Sequence, residues 1–296
     1  MSDLYGDFLN HLRYELNMSV HTARAYGNDL RQWHTYSCAN FGDGFNPAAA
    51  DITDLRLWVA SLASEGVGAR SIRRKVQTLR AFFRYLQRRG LVAGNPAADL
   101  VTARMPKTLP SVVKPDEMKE ILDAPFDAEN FAEVRNRLII NILYSTGMRA
   151  SELVGLTLRD IDMRGRELKV LGKRNKERII PFGQELYELL ALYIPMRPSD
   201  LCDSLLLRES GKPFTYADLR KVVHDELRGN TTARKQSPHV LRHSFATDML
   251  NCDAEITAVQ QLLGHASLAT TQLYTHLSYK ELLTNYEHAH PRAQKQ

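Results

Sequence analysis

Between Asn95 and Pro115 the chain reads NPAADLVTARMPKTLPSVVKP, with four prolines and no sustained apolar period. Proline lacks a backbone donor and biases the residue before it away from the helical region, so this stretch does not extend a helix from either side. It reads as a connection. The chain therefore divides into a first unit at 1–100, a linker at 101–114 and a second unit at 115–296, each long enough to bury a core of its own.

The first unit is helical by pattern. Leu9, Leu12 and Leu16 recur at helical spacing, and Ser19 can cap a second helix running through Tyr26, Leu30 and Trp33. The Gly- and Pro-containing FGDGFNPAAAD interrupts the pattern, after which Ile52, Leu55, Val59 and Leu62 mark a third helix. Ile72, Val76, Leu79, Phe83 and Leu86 mark a fourth. That helix carries Arg70, Arg73, Arg74, Lys75, Arg80, Arg84, Arg88 and Arg89, and no Asp or Glu occurs between Glu65 and Asp99. With the apolar stripe turned inward, the basic side chains are expected to stand outward as an unneutralised strip, which suits a duplex phosphate backbone. Net charge over the whole chain is only +5, so the inference rests on this local concentration.

The second unit opens with a helix at Pro115 to Leu122 and another through Val134, Leu138, Ile142 and Leu143. The segment STGMRASELVGLTLRDI breaks at Gly147 and restarts as a helix, which puts Arg149 near a helix N-terminus, where anions are favoured. RELKVLGKRNKERIIPF alternates about a polar, Gly-containing turn and predicts a β-hairpin with Lys173 at its tip, crowded by Lys169, Arg174, Lys176 and Arg178. Further helices are expected from Glu185 to Tyr193 and from Thr215 to Leu227, the latter with Thr215 and Asp218 in a capping arrangement. SYKELLTNYEHAH predicts a short last helix. The fold class is mainly α with a small β-hairpin or sheet in the second unit (α+β).

The chemistry concentrates between Ser237 and Tyr274. Ser237 and Pro238 form a helix start, and His239 and Arg242, three apart, share one helix face. A second helix ends at Gly264 with His265 directly after it, and Tyr274 lies about two and a half turns into the next helical pattern. Imidazoles, a guanidinium and a phenol in this arrangement suit an anionic, oxygen-rich group such as phosphate, with Arg149 and Arg242 as a clamp. No carboxylate cluster accompanies Arg149, Lys173 or Arg242 in the sequence, so chemistry without a metal or other cofactor is expected. Tyr274 as nucleophile would form a covalent phosphotyrosine. Taken singly, however, one of 12 tyrosines is more often a packing residue than a nucleophile, His239 and His265 are more often core or surface histidines, and Lys173 on a hairpin tip is by default a solvated charge. Cys38, Cys202 and Cys252 have no metal-ligand spacing and read as buried thiols.

The motifs GMRASEL, GKRNKER, HVLRHSFAT, LGHASLATTQLYTH and HPRA, in that order, resemble the tyrosine recombinase (phage-integrase) family, and within it the Xer branch. The resemblance covers nearly the whole chain. It implies a SAM-like helical core-binding domain followed by a catalytic domain, the two forming a C-shaped clamp on double-stranded DNA. By position, Arg149 and Arg242 match the arginines that grip the scissile phosphate, and Lys173 the hairpin lysine that protonates the departing 5′ oxygen. His239 and His265 match two further active-site positions, and Tyr274 the nucleophile of a 3′-phosphotyrosyl bond. Arg174 stands where the family often has glycine, which stiffens the turn or adds a phosphate contact.

The same resemblance implies strand exchange through a Holliday junction in a tetramer on a dif-like site, with this chain alone or alternating with a second Xer recombinase. Control by an FtsK-type DNA translocase and a role in chromosome dimer resolution go with it. An integrase or transposase of a mobile element is the near alternative, and a non-catalytic DNA-binding regulator or a type IB topoisomerase-like enzyme the more distant ones. DNA contacts are expected from Arg70, Arg73, Arg74, Lys75, Arg80, Arg84, Arg174 and Lys176. No apolar run approaches the roughly 20 residues of a membrane span and the first residues form no signal peptide, so a cytoplasmic protein is expected.

Overall fold

The computed structural model describes residues 3–103, 111–172, 177–199 and 201–264, together with Tyr286 and Ala289. The chain forms two compact units, Met1–Thr108 and Leu109–Gln296.

The first unit contains α1 (Asp3–Asn10), α2 (Val20–Phe41), α3 (Ile52–Ser64) and α4 (Ala69–Arg88). Ser19 accepts the Thr22 amide at 3.2 Å to start α2. Asp51 accepts the Thr53 and Asp54 amides at 2.7 and 2.9 Å while Asp54 accepts the Asp51 amide, a reciprocal cap that starts α3. The apolar stripes meet around Trp33, Trp58, Phe82 and Phe83, and Trp33 stands edge-on to Phe83 and Phe45 at 5.7 and 5.5 Å. The spacing of Leu9, Leu12 and Leu16 does not persist. After Asn10 the chain widens into one π-helical turn, His11–Glu15, which shifts the period, so Leu12 is buried while Leu16 turns out to solvent.

The basic strip on α4 differs from the expectation. Arg70, Arg73 and Arg84 are exposed. Lys75, by contrast, is buried, with its ammonium on Asp29 Oδ1 at 3.0 Å, on Gln32 Oε1 and over the Trp58 ring. Arg74 also binds Asp29, and Arg80 commits Nε and Nη2 to the carbonyls of Ala97 and Leu100 at 3.1 and 2.7 Å. The counter-charge comes from α2, which no reading confined to the fourth helix could supply. Arg80 instead binds the start of the connection onto the first unit's core.

The second unit is built around α6 (Phe131–Thr146). Nearly every residue of α6 from Val134 onward is buried, and a helix covered on all sides belongs at the centre of its domain. Around it lie α5 (Pro115–Asp123), α7 (Ala150–Val154), α8 (Gln184–Tyr193), α9 (Tyr216–Leu227), α10 (Pro238–Asn251) and α11 (Ile256–Leu263). Strands β1 (Ile161–Asp162), β2 (Glu167–Leu171) and β3 (Glu177–Pro181) form one antiparallel sheet in the order β1-β2-β3. The expected hairpin is β2–β3, in which Leu168 pairs with Ile180 and Val170 with Arg178. Two-residue β1 is too short to show alternation in the sequence. Lys173, Arg174 and Lys176 of the hairpin turn lie outside the described residues. Ser237 makes no side-chain cap, and Pro238 at the first helical position starts α10. Among the described residues no helix is long and apolar enough to cross a membrane.

Gly147 closes α6 with φ of +60°, its amide on Leu143 O at 3.1 Å. A Cβ here would lie 2.3 Å from Phe245 and 2.9 Å from Leu263, so left-handed strain and overpacking would act together. Gly147→Ala is expected to destabilise the second unit by about 2–5 kcal/mol. Urea denaturation followed by circular dichroism should show the loss. Tryptophan fluorescence, which comes from Trp33 and Trp58 in the first unit, should keep its midpoint.

Candidate active site

Arg149 and Arg242 reach one place from different elements. Arg149 follows Gly147 by two residues and is the N-cap of α7. Arg242 lies on α10 and is only 8% exposed. Its Nη1 donates to Gly147 O and its Nη2 to Leu263 O, each at 2.7 Å. Arg149 Nη2 donates to Gly264 O at 3.2 Å. Leu263 and Gly264 are consecutive, so the two guanidinium groups sit side by side on the C-terminal end of α11. The last carbonyls of a helix lack internal partners and carry the negative end of its dipole, which makes them a seat for cations. Gly264, with φ of +63°, closes that helix in the left-handed conformation.

Two adjacent guanidinium groups repel each other, and a carboxylate offsets part of that. Glu152, its side chain 5% exposed, accepts Arg149 Nη1 at 2.7 Å and the Arg149 amide at 2.8 Å. Arg178 on β3 grips the same carboxylate with Nη1 at 3.1 Å and Nη2 at 2.7 Å, and its Nε donates to Leu262 O at 2.8 Å. Burial raises the Glu152 pKa, but the bonds from Arg178 and Arg149 outweigh it and hold the carboxyl below its ordinary value. Burial, with the charge of Arg149 acting the same way, brings Arg242 down to about 10, so it stays charged at neutral pH. Three guanidinium groups thus cluster about one carboxylate, which binds two of them directly. The surplus positive charge, partly desolvated and fixed in advance, is suited to the non-bridging oxygens of a phosphodiester. A cavity of about 640 Å³ between α5, α6 and the end of α9 is lined by Glu117, Glu120, Glu133 and Glu226, the wrong charge for a polyanion.

Residues 111–281 match the phage integrase family, and residues 6–90 match the phage integrase N-terminal SAM-like domain. The chain belongs to the phage integrase family. It is 38% identical to the tyrosine recombinase XerC of Pelobacter propionicus, over 97% of this chain and 94% of that protein. XerC of Mycobacterium tuberculosis is likewise 38% identical, with 99% and 100% covered, and XerC of Listeria monocytogenes is 34% identical, with 98% of each covered. The fold recurs in the Tn1549 transposon integrase in complex with transposon right end DNA, at TM-score 0.72 and 21% identity over 96% of this chain and 98% of that one. It recurs also in the XerH site-specific recombinase bound to a palindromic difH substrate, at TM-score 0.71 and 23% identity over 96% and 83%. The chain is therefore a tyrosine recombinase of the Xer branch, an enzyme that cuts and rejoins DNA at specific sites.

Of the six side chains expected at the centre of this recombinase, the described residues bring Arg149 and Arg242 together. His239 is exposed on the first turn of α10, three residues before Arg242. Lys173, His265 and Tyr274 lie outside the described residues. Sequence reasoning gave no role to Glu152 or Arg178, although both left a signal. Glu152 is the third residue after Arg149 in a restarting helix, the position from which a carboxylate reaches back to the N-cap amide. Arg178 is two residues from Ile180 on a strand, hence on the core-facing side, where an arginine needs a partner. His243, one turn beyond His239, was also passed over. Its imidazole is pushed down by burial and then by the charges of His239 and Arg242, which favours the neutral ring at neutral pH.

Two buried acids give this unit opposite pH signatures. Asp248 on α10, 4% exposed, accepts the Tyr144 hydroxyl at 2.9 Å, and burial holds its carboxyl above the ordinary value against that bond. The stability linked to Glu152, whose folded pKa is depressed, is present above its unfolded pKa of about 4.3 and lost as pH falls through the lower folded value. That linked to Asp248, whose folded pKa is raised, is present below about 3.9 and lost as pH rises through the higher folded value. Glu152→Gln is expected to cost about 2–4 kcal/mol at pH 7, a difference that shrinks toward pH 3. Asp248→Asn should gain stability relative to the parent between pH 4 and pH 7. Urea denaturation of both variants across this range checks the two signs.

Proposed function

We propose that this recombinase breaks a strand of duplex DNA by attack of Tyr274 on a phosphodiester seated on Arg149 and Arg242. The Tyr274 oxygen bonds to phosphorus, the 5′ oxygen leaves with a proton from Lys173, and a 3′-phosphotyrosyl bond conserves the energy of the broken diester. The observation that carries this reading is the pair of guanidinium groups on the consecutive carbonyls of Leu263 and Gly264, directly ahead of His265 and Tyr274 in the chain. His239 and His265 supply hydrogen bonds and proton movement at the same phosphate. Arg242 and Arg149 stabilise the equatorial oxygens without a metal, because the guanidinium surplus already supplies the charge.

In this reading a 5′-hydroxyl from a second duplex attacks the phosphotyrosine, and two rounds of exchange pass through a Holliday junction. Four protomers are needed, either of this chain alone or alternating with a second Xer recombinase. Full-length relatives named XerC at 34–38% identity favour chromosome dimer resolution, on a dif-like site and under an FtsK-type DNA translocase, over service to a mobile element. Arg70, Arg73 and Arg84 on the exposed side of α4 hold the DNA backbone, with Arg174 and Lys176 of the hairpin turn on the second unit. Lys75 and Arg80 are withdrawn from that role by their internal partners.

A suicide duplex carrying a Xer-type site, nicked beside the scissile phosphate, should trap a covalent protein–DNA adduct visible on a denaturing gel. Tyr274→Phe is expected to abolish the adduct while retaining DNA binding. Arg149→Lys and Arg242→Lys should slow its formation by roughly 100- to 1,000-fold, because a lysine cannot replace a preorganised guanidinium fork. An undiminished adduct in Tyr274→Phe would assign the nucleophile elsewhere.

A further inference from the structure

Arg74 is held differently from its neighbours on α4. Arg70, Arg73 and Arg84 are exposed and make no ion pair among the described residues. The Arg74 side chain is 45% exposed, yet its Nη1 is fixed on Asp29 Oδ2 and leans on the Ala25 carbonyl at 3.5 Å. Asp29 is itself held on several sides. It is 1% exposed, its Oδ2 also accepts Thr78 Oγ1 at 2.9 Å, and its Oδ1 accepts Lys75 Nζ at 3.0 Å. An exposed arginine ordinarily samples many rotamers, but one tethered at Nη1 to a buried carboxylate presents Nε and Nη2 in a set direction. Gln77, three residues further on, is exposed on the same side of the helix, and Ala81 a turn later adds little bulk there.

That arrangement is better suited to a base edge than to a phosphate. Neutralising phosphates needs charge and tolerates mobility, which Arg70, Arg73 and Arg84 offer, whereas Asp29 has already offset part of the charge near Arg74. Reading a base needs paired donors in a fixed orientation, and the Nε–Nη2 edge matches the O6 and N7 acceptors of guanine. We infer that Arg74, oriented by Asp29, reads one guanine of the recombination site and so helps set the sequence specificity of this enzyme. Asp29 is then a positioning residue that acts through Arg74. The inference rests on the reading that the exposed side of α4 meets duplex DNA.

The test is selection of bound duplexes from a random-sequence library by the full-length chain, followed by sequencing and by affinity measurements over a range of salt. The parent protein should enrich a motif with a guanine preferred roughly ten- to hundred-fold at one position. Arg74→Lys, which keeps the charge and leaves the Asp29–Lys75 pair in place, should lose that one preference while the rest of the motif and the salt slope persist. Asp29→Asn, with folding checked by tryptophan fluorescence, should weaken the same preference and no other. Arg70→Ala and Arg73→Ala should instead weaken all sequences alike and reduce the salt slope by about one each. An unchanged motif in Arg74→Lys, or a uniform loss with a smaller slope in Arg74→Ala, would overturn the inference. Salt-insensitive binding unaffected by Arg70→Ala and Arg73→Ala would instead remove α4 from the DNA interface altogether.

Discussion

Glu152 holds the site together by standing between cations that would otherwise repel. A carboxylate with a side chain 5% exposed is costly to desolvate, and its stability depends on the quality of its partners. Here it has a bidentate arginine from a strand, a guanidinium from a helix N-cap and that residue's own amide. Arg149 and Arg178 each also donate to a carbonyl at the end of α11, Gly264 and Leu262, and Arg242 donates to Gly147 and Leu263 at the ends of α6 and α11. Those groups are short of partners in any helix, so the seats that fix the cations are a by-product of ending two helices at one point.

The two helix ends also explain why glycine stands at both. Gly147 and Gly264 take left-handed conformations that turn the chain sharply and leave the carbonyls facing the guanidinium groups. Neither position has room to spare. A Cβ on Gly147 would strike Phe245 and Leu263, and one on Gly264 would press on Arg178 at 3.1 Å. Packing and electrostatics are therefore the same constraint seen from two sides. The result is a rigid cationic cluster whose geometry is set before any anion arrives, the condition under which fixed donors lower a barrier most.

The first unit repeats the device on a smaller scale. Asp29, buried on α2, binds both Arg74 and Lys75 of α4, just as Glu152 binds Arg149 and Arg178. In each case one buried acid restrains two bases, Asp29 from across the helix pair and Glu152 from within the helix that Arg149 caps. Lys75 is drawn fully into the interior, and Arg74 is left at the surface with its direction fixed. A run of basic residues on one helix thus separates into exposed charges, a tethered arginine and structural ties such as Arg80, although in sequence they look alike.

Much of the architecture was legible in the sequence because it depends on local chemistry. The helix periods of the first unit, the capping residues Ser19, Thr215 and Asp218, the alternation that makes β2–β3 and the break at Gly147 each act over a few residues. So did the ordered motifs that named the family and singled out Arg149 and Arg242. Where the local pattern failed, a partner distant in sequence decided the outcome. Asp29 drew Arg74 and Lys75 out of the strip on α4 and Arg178 crossed from the hairpin to Glu152, whereas a local π-helical turn, which leaves no period to read, rotated Leu16 outward. The sequence by itself determined most of the helices and the β2–β3 hairpin, and it offered the residue types that suit a phosphate. Tertiary structure alone decided which of those charges stand free and which are held, because the free energy of a charge depends on its burial and its partners, and both are properties of the folded chain.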